Sequence, residues 1–190
     1  MKKWFLLLTV CATLFLSACD NGKRSKKWEE EVQLHDGTVF WVKRSAQWEA
    51  EGEWPNGSGG GAFYNIFVTV SVPDNSGIAS PPPRWEGFKG AVPILLDYDQ
   101  EKKTWFVVAT FVMTGVWMEW GRPRVPYRQY EVQNGQWVVV PFDEKLLGRD
   151  TNLLAEYVGE SSSRVTIQER LKLQHNSAKR VKILTDEWGH

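Results

Sequence analysis

Over long stretches of the chain apolar side chains return at every second residue, which gathers them on one face of an extended strand. In "WEEEVQLHDGTVFWVKR" Val32 and Leu34 alternate with polar residues, Asp36-Gly37 follows, and then a β-rich run. An Asp-Gly pair between two such runs predicts a tight hairpin, because its residues accept positive φ. Tyr64, Ile66, Val68, Val70 and Val72 share a face of a long strand; its other face, with Asn65, Thr69 and Ser71, is mixed and expected to be wet. In "TWFVVATFVM" both faces are apolar, with Trp105, Val107, Ala109, Phe111 and Met113 on one and Phe106, Val108 and Val112 on the other. A strand covered on both sides belongs at the centre of a fold. "YRQYEVQNGQWVVVPF" predicts another hairpin around Asn134-Gly135, with Trp137 to Phe142 apolar on both faces.

Glycine and proline punctuate these strands. "EGEWPNGSGGGAF" reads as a loop, and Pro81-Pro82-Pro83 as a stiff, extended connector. Helical spacing enters only late: Leu146, Leu147, Leu153, Leu154 and Tyr157 fit it loosely, interrupted by Gly148. Thr166 and Glu169 match a capping box, in which each side chain satisfies a backbone amide of the other residue, so a helix is expected to start there and pack on the sheet. Together these patterns predict a mainly β fold: an antiparallel β-rich single domain, sheet- or sandwich-like, with one or two C-terminal α-helices.

One apolar run follows a different logic. Behind Met1-Lys2-Lys3 stands "WFLLLTVCATLFL", Trp4 to Leu16, shorter than the ~20 residues that span a bilayer but suited to a secretory leader. It ends in Leu16-Ser17-Ala18-Cys19, which resembles the lipobox of bacterial lipoproteins. That resemblance implies a signal peptide over residues 1–18, cleavage before Cys19, and a diacylglyceryl group on the Cys19 sulfur with further acylation, such as palmitate, on the freed amine. One acyl chain holds a protein weakly at a membrane and several hold it firmly. Asp20 resembles the inner-membrane retention signal of enterobacterial lipoproteins, so the periplasmic face of the inner membrane is the expected location, with the outer membrane as the alternative. Residues 19–27, with Lys23, Arg24, Lys26 and Lys27, read as a basic tether, and residues 28–190 as the globular domain. The opening "WEEEVQLHDGTVFWVKRSAQW" also resembles the start of small proteobacterial lipoproteins, a group that implies no activity.

Composition then removes several classes of function. The chain carries 23 basic and 23 acidic side chains, no excess that would favour a nucleic acid. Cys11 departs with the leader and Cys19 carries lipid, which leaves the body without a thiol for a disulfide, a zinc site or a nucleophile. Stability must come from packing, and most of the 11 tryptophans are expected in the core. The three histidines, His35, His175 and His190, have no metal-binding spacing, so neither a metal nor another cofactor is expected. Gly57-Ser58-Gly59 lacks the frame of a nucleophile elbow, and Asp97-Tyr98-Asp99 reads as solvated turn residues.

No catalytic set is complete. One constellation remains, "WMEWGRPRVPYRQY", with Trp117, Trp120, Arg122, Arg124, Tyr127 and Arg128. Arginine forks and flat aromatic faces are the mixture enriched at interaction hot spots, which suits an envelope protein, a lipid headgroup or a cell-wall glycan. The structural alternative is a loop whose aromatics cover the sheet while its arginines face water. The expected role is therefore non-enzymatic binding by a lipid-anchored periplasmic protein. The alternative is an envelope enzyme acting on glycan or lipid through carboxylates, which would need Asp97, Asp99 and His35 to converge in a deep pocket.

Overall fold

The computed structural model describes residues 24–51, 63–87, 89–111, 114–155 and 163–176. The leader, Cys19, Asp20, Lys23, the glycine-rich loop, Met113, Tyr157 and His190 lie outside them. Strands β1 (Arg24–Gln33), β2 (Val39–Glu51), β3 (Phe63–Ser71), β4 (Trp85–Glu86) and β9 (Arg164–Val165) form one sheet in the order β4-β3-β2-β1-β9. The second sheet is β5 (Ala91–Asp99), β6 (Thr104–Phe111), β7 (Tyr127–Gln133) and β8 (Gln136–Val140), in chain order. A short helix α1 (Thr114–Glu119) joins β6 to β7, and α2 (Ile167–Asn176) follows β9. All pairings are antiparallel except that of β9 with β1.

The two sheets face each other across one core. Val32, Leu34, Phe40, Val42, Val70 and Val72 of the first pack against Leu96, Trp105, Val107 and Ala109 of the second. Val32, Leu34, Val70, Val72, Trp105, Val107 and Ala109 are positions that the period of two predicted; Phe40, Val42 and Leu96 join them. β6 is buried along seven consecutive residues, Trp105 to Phe111, because its other face, with Phe106 and Val108, is covered by Tyr127, Phe142, Leu146 and Leu147. The mainly β, sandwich-like single domain with a C-terminal helix is thus the fold observed.

Several local expectations change. In the first hairpin only Gly37 is left-handed (φ 89°); Leu34 N–H donates to Thr38 C=O, so the loop has three residues, with Asp36 Oδ1 accepting from Thr38 N–H. The second hairpin has the two-residue turn expected, with Asn134 (φ 51°) and Gly135 (φ 76°) both left-handed. Thr69, placed on the wet face of β3, is buried and bonded through its hydroxyl to Ser45. β8 lies at a sheet edge with Val139 56% exposed, rather than covered on both faces. Arg24 to Lys27 are strand, not tether.

At the late helix the capping box forms as read: Thr166 N–H donates to Glu169 Oε2, and Glu169 N–H to Thr166 Oγ1. Its inward side, however, is Arg170 and Leu173, while Leu171 is exposed. The loosely helical leucines of 146–154 make one 3-10 turn at Glu144–Leu146 and then an extended segment that runs along the open edge of β5.

Candidate functional site

That extended segment, residues 149–154, laces the sheets together. Ile94 C=O accepts from both Asn152 N–H (3.3 Å) and Leu153 N–H (3.1 Å). The Asn152 side chain accepts from Leu96 N–H (2.9 Å) and donates to Leu96 C=O (2.7 Å) and to Gln33 C=O (3.0 Å), doing for an edge strand what a neighbouring strand would do. Pro93, which cannot donate, is tolerated because β5 is an edge with a register break at this point.

On one side of this seam lies a polar cluster. Asp97, fully buried on β5, receives His35 Nδ1 at 3.0 and 3.1 Å and the guanidinium of Arg149. His35 comes from the first hairpin turn and is about half exposed, while Arg149 also lies 5.9 Å above the Phe106 ring. Asp97 is therefore not the solvated turn residue that its tripeptide suggested. Asp99 does behave that way: its Oδ1 accepts from Glu101 and Lys102 N–H and closes the β5–β6 turn. Of the three groups an acid–base site would need, two converge and Asp99 turns elsewhere.

On the other side is a charge cluster inside the sandwich. Arg44 Nη1 donates to Glu30 Oε2 (2.7 Å), Leu154 N–H donates to Glu30 Oε1 (2.7 Å), and Arg44 Nη2 donates to Leu154 C=O (3.2 Å). Arg44 also lies 5.1 Å from the Trp28 ring, and buried Arg170 donates to Thr151 C=O (2.7 Å). Burial pushes the Glu30 carboxyl above its ordinary range, against the pull of Arg44. Sequence reasoning missed this cluster, though a signal existed. The alternation that buries Trp28 and Val32 also buries Glu30, and the one that buries Val42 and Ala46 also buries Arg44.

The Trp-Arg loop is built by α1. Gly121 (φ 83°) ends that helix, with Gly121 N–H donating to Met118 C=O and Arg122 N–H to Trp117 C=O, a Schellman closure. The closure sets the Arg122 guanidinium 5.8 Å over Trp117, whose indole N–H donates to Pro123 C=O (3.2 Å). Trp120 packs edge-on against Phe111 (5.9 Å) with the Arg128 guanidinium 4.4 Å from its ring. Arg124 pairs with Glu144 (2.9 Å) at the surface, and Tyr127 turns to Phe142 on the far face of the sheet. The structure thus brings together Trp117 with Arg122 and Trp120 with Arg128, and sends Arg124 and Tyr127 elsewhere.

The chain matches no family model, no curated protein and no solved structure. What these sites do follows from their own residues. Among the described residues, no three His, Cys, Asp or Glu side chains gather to hold a metal ion, and no helix is long and apolar enough to cross a membrane.

Proposed function

We propose that this is a lipid-anchored periplasmic protein, held through acyl chains on Cys19 and kept at the inner membrane by Asp20, with a non-enzymatic binding role in the cell envelope. The observation that carries the reading is the junction between anchor and body. Cys19 of the lipobox stands five residues before Arg24, where β1 begins, and among the described residues the core clusters draw on none before Trp28. A short tether keeps such a body close to the bilayer. Arg122, exposed over Trp117, supplies the face most suited to an acidic protein or a glycan, with Arg124, exposed but paired with Glu144, two residues on.

Replacement of Cys19 by Ser tests the anchor: the protein should leave the membrane fraction, and unchanged fractionation would refute the lipid assignment. Arg122, Arg124 and Arg128 changed together to Ala should lose partners captured by crosslinking in intact cells, with thermal unfolding nearly unchanged. Loss of folding in that variant would make the arginines structural.

A second reading, an envelope enzyme, is favoured by one observation only, the His35 ring held by buried Asp97 while half of it meets solvent. Asp99 stands apart from them, so the pair of carboxylates that glycan chemistry uses does not form between Asp97 and Asp99. A turnover lost on His35→Ala with the fold intact would favour this reading over binding.

A further inference from the structure

The first strand begins with a surface that the sandwich core does not use. Arg24, Lys26 and Trp28 follow the inward parity of β1, but only Trp28 reaches the core. Arg24 is exposed and Lys26 half exposed. Trp48 pairs in register with Arg24 and packs only partly against the core. Arg24, Ser25, Lys26 and Trp48 line a cavity of about 400 Å³ at this end of the sheet.

We infer that this cavity is a membrane-docking site for the headgroup of an anionic phospholipid, with Arg24 and Lys26 meeting the phosphate and Trp48 seated at the interface. The inference rests on the lipid anchor proposed above, and it names what the anchored body touches. Five residues from Cys19 to Arg24 extend to at most about 18 Å, so the cavity stays within reach of the headgroup layer while Cys19 is acylated. Basic side chains this close are drawn to anionic lipid, and tryptophan is the side chain that favours the boundary between headgroups and acyl chains. A cavity with Trp48 in its wall and two cations beside it fits a phosphate with glycerol attached better than a bare anion.

β1 has ten residues and rises about 30 Å along its length, so the hairpin tip that carries His35 lies about 30 Å from the docked Arg24 end.

The test uses the native full-length product reconstituted in vesicles, with spin-labelled phosphatidylglycerol or phosphatidylcholine as the quencher of tryptophan fluorescence. Labelled phosphatidylglycerol should quench a component that disappears in Trp48→Phe, and labelled phosphatidylcholine should not. Arg24→Glu/Lys26→Glu, both at accessible positions, should abolish that component while the thermal unfolding curve stays in place. Equal quenching by the two lipids, or quenching unchanged in the charge-reversed protein, overturns the proposal. Release of the quenching by added glycerol phosphate would assign the cavity to a soluble phosphate compound and also overturn it. The mass of the Cys19 peptide from the same sample decides the anchor separately. With an unmodified thiol the anchor reading fails, and the phosphatidylglycerol dependence, measured with preformed vesicles, still decides the cavity.

Discussion

Glu30 and Arg44 face each other at 2.7 Å inside the sandwich, neither side chain reaching solvent. Removing two ions from water costs several kcal/mol each, and their attraction offsets this only when the remaining polar atoms are satisfied. Here Leu154 supplies both an N–H and a C=O to the pair, which leaves Arg44 Nε buried without a hydrogen-bond partner. The ion pair therefore fixes where the 149–154 segment lies, as well as tying β1 to β2.

A double-mutant cycle measures that role. Glu30→Met should destabilise by about 3–5 kcal/mol, because it leaves the Arg44 guanidinium buried without its carboxylate. Glu30→Met/Arg44→Met should cost less than the two single changes together, yet stay about 1–3 kcal/mol below the parent because the backbone groups of Leu154 lose their partners. Denaturant unfolding of the four proteins gives the coupling, and additivity would show that the pair does not act as a unit.

The carboxyls should titrate on opposite sides of their ordinary value. Burial raises Glu30 above 4.5, whereas the N–H and hydroxyl of Thr166 lower Glu169 below 4.5. For Glu169 the native state prefers the ionised form, so its contribution is present above pH 4.5 and is lost as pH falls through the depressed native value. For Glu30 the sign reverses: its contribution is complete below pH 4.5 and is lost as pH rises through the raised native value. Carbon-detected NMR titration should place the two carboxyls on either side of 4.5, and the Tm gap between the parent and Glu169→Gln should close in acid.

Asn152→Ala should lower stability by about 1–3 kcal/mol, since it strips partners from Leu96 N–H, Leu96 C=O and Gln33 C=O at one stroke. Amide exchange offers the sharper measurement: Leu96 N–H should lose protection well before amides in the middle of β6. Equal protection in the variant would mean that a neighbouring group or water takes over the edge.

Asp97 and His35 are predicted to differ in what they hold. Asp97→Ala leaves Arg149 and the Tyr98 N–H without their shared carboxylate inside the fold and should cost about 1–3 kcal/mol. His35→Ala removes a half-exposed partner and should cost under about 1 kcal/mol. Thermal melts of both settle the order, and a larger loss from His35→Ala would reverse these roles.

Much of this was legible in the order of residues. Alternation fixed which faces of β1 and β3 turn inward and that β6 is covered on both, Asn134-Gly135 fixed a hairpin, and Thr166 with Glu169 fixed the start of α2. Each is a local matter, decided by side-chain period or by hydrogen bonds within a few residues. Less of the candidate site was legible. The Trp-Arg cluster was visible as composition, but that Arg122 meets Trp117 while Arg124 turns to Glu144 depends on α1 and its left-handed Gly121.

The leucines of 146–154 show why the remainder was hidden. Their spacing favours a helix, yet the open edge of β5 offers unpaired backbone groups, and satisfying those outweighs a weak local preference. The sequence by itself determined the β class, the inward faces of β1 and β3, and the Asn134-Gly135 turn. Tertiary structure alone decided that Glu30 finds Arg44, that His35 finds Asp97 across 62 residues, and that Asn152 closes an edge. A buried charge or an open strand edge takes whatever partner the packed chain brings within reach, and sequence separation does not enter that choice.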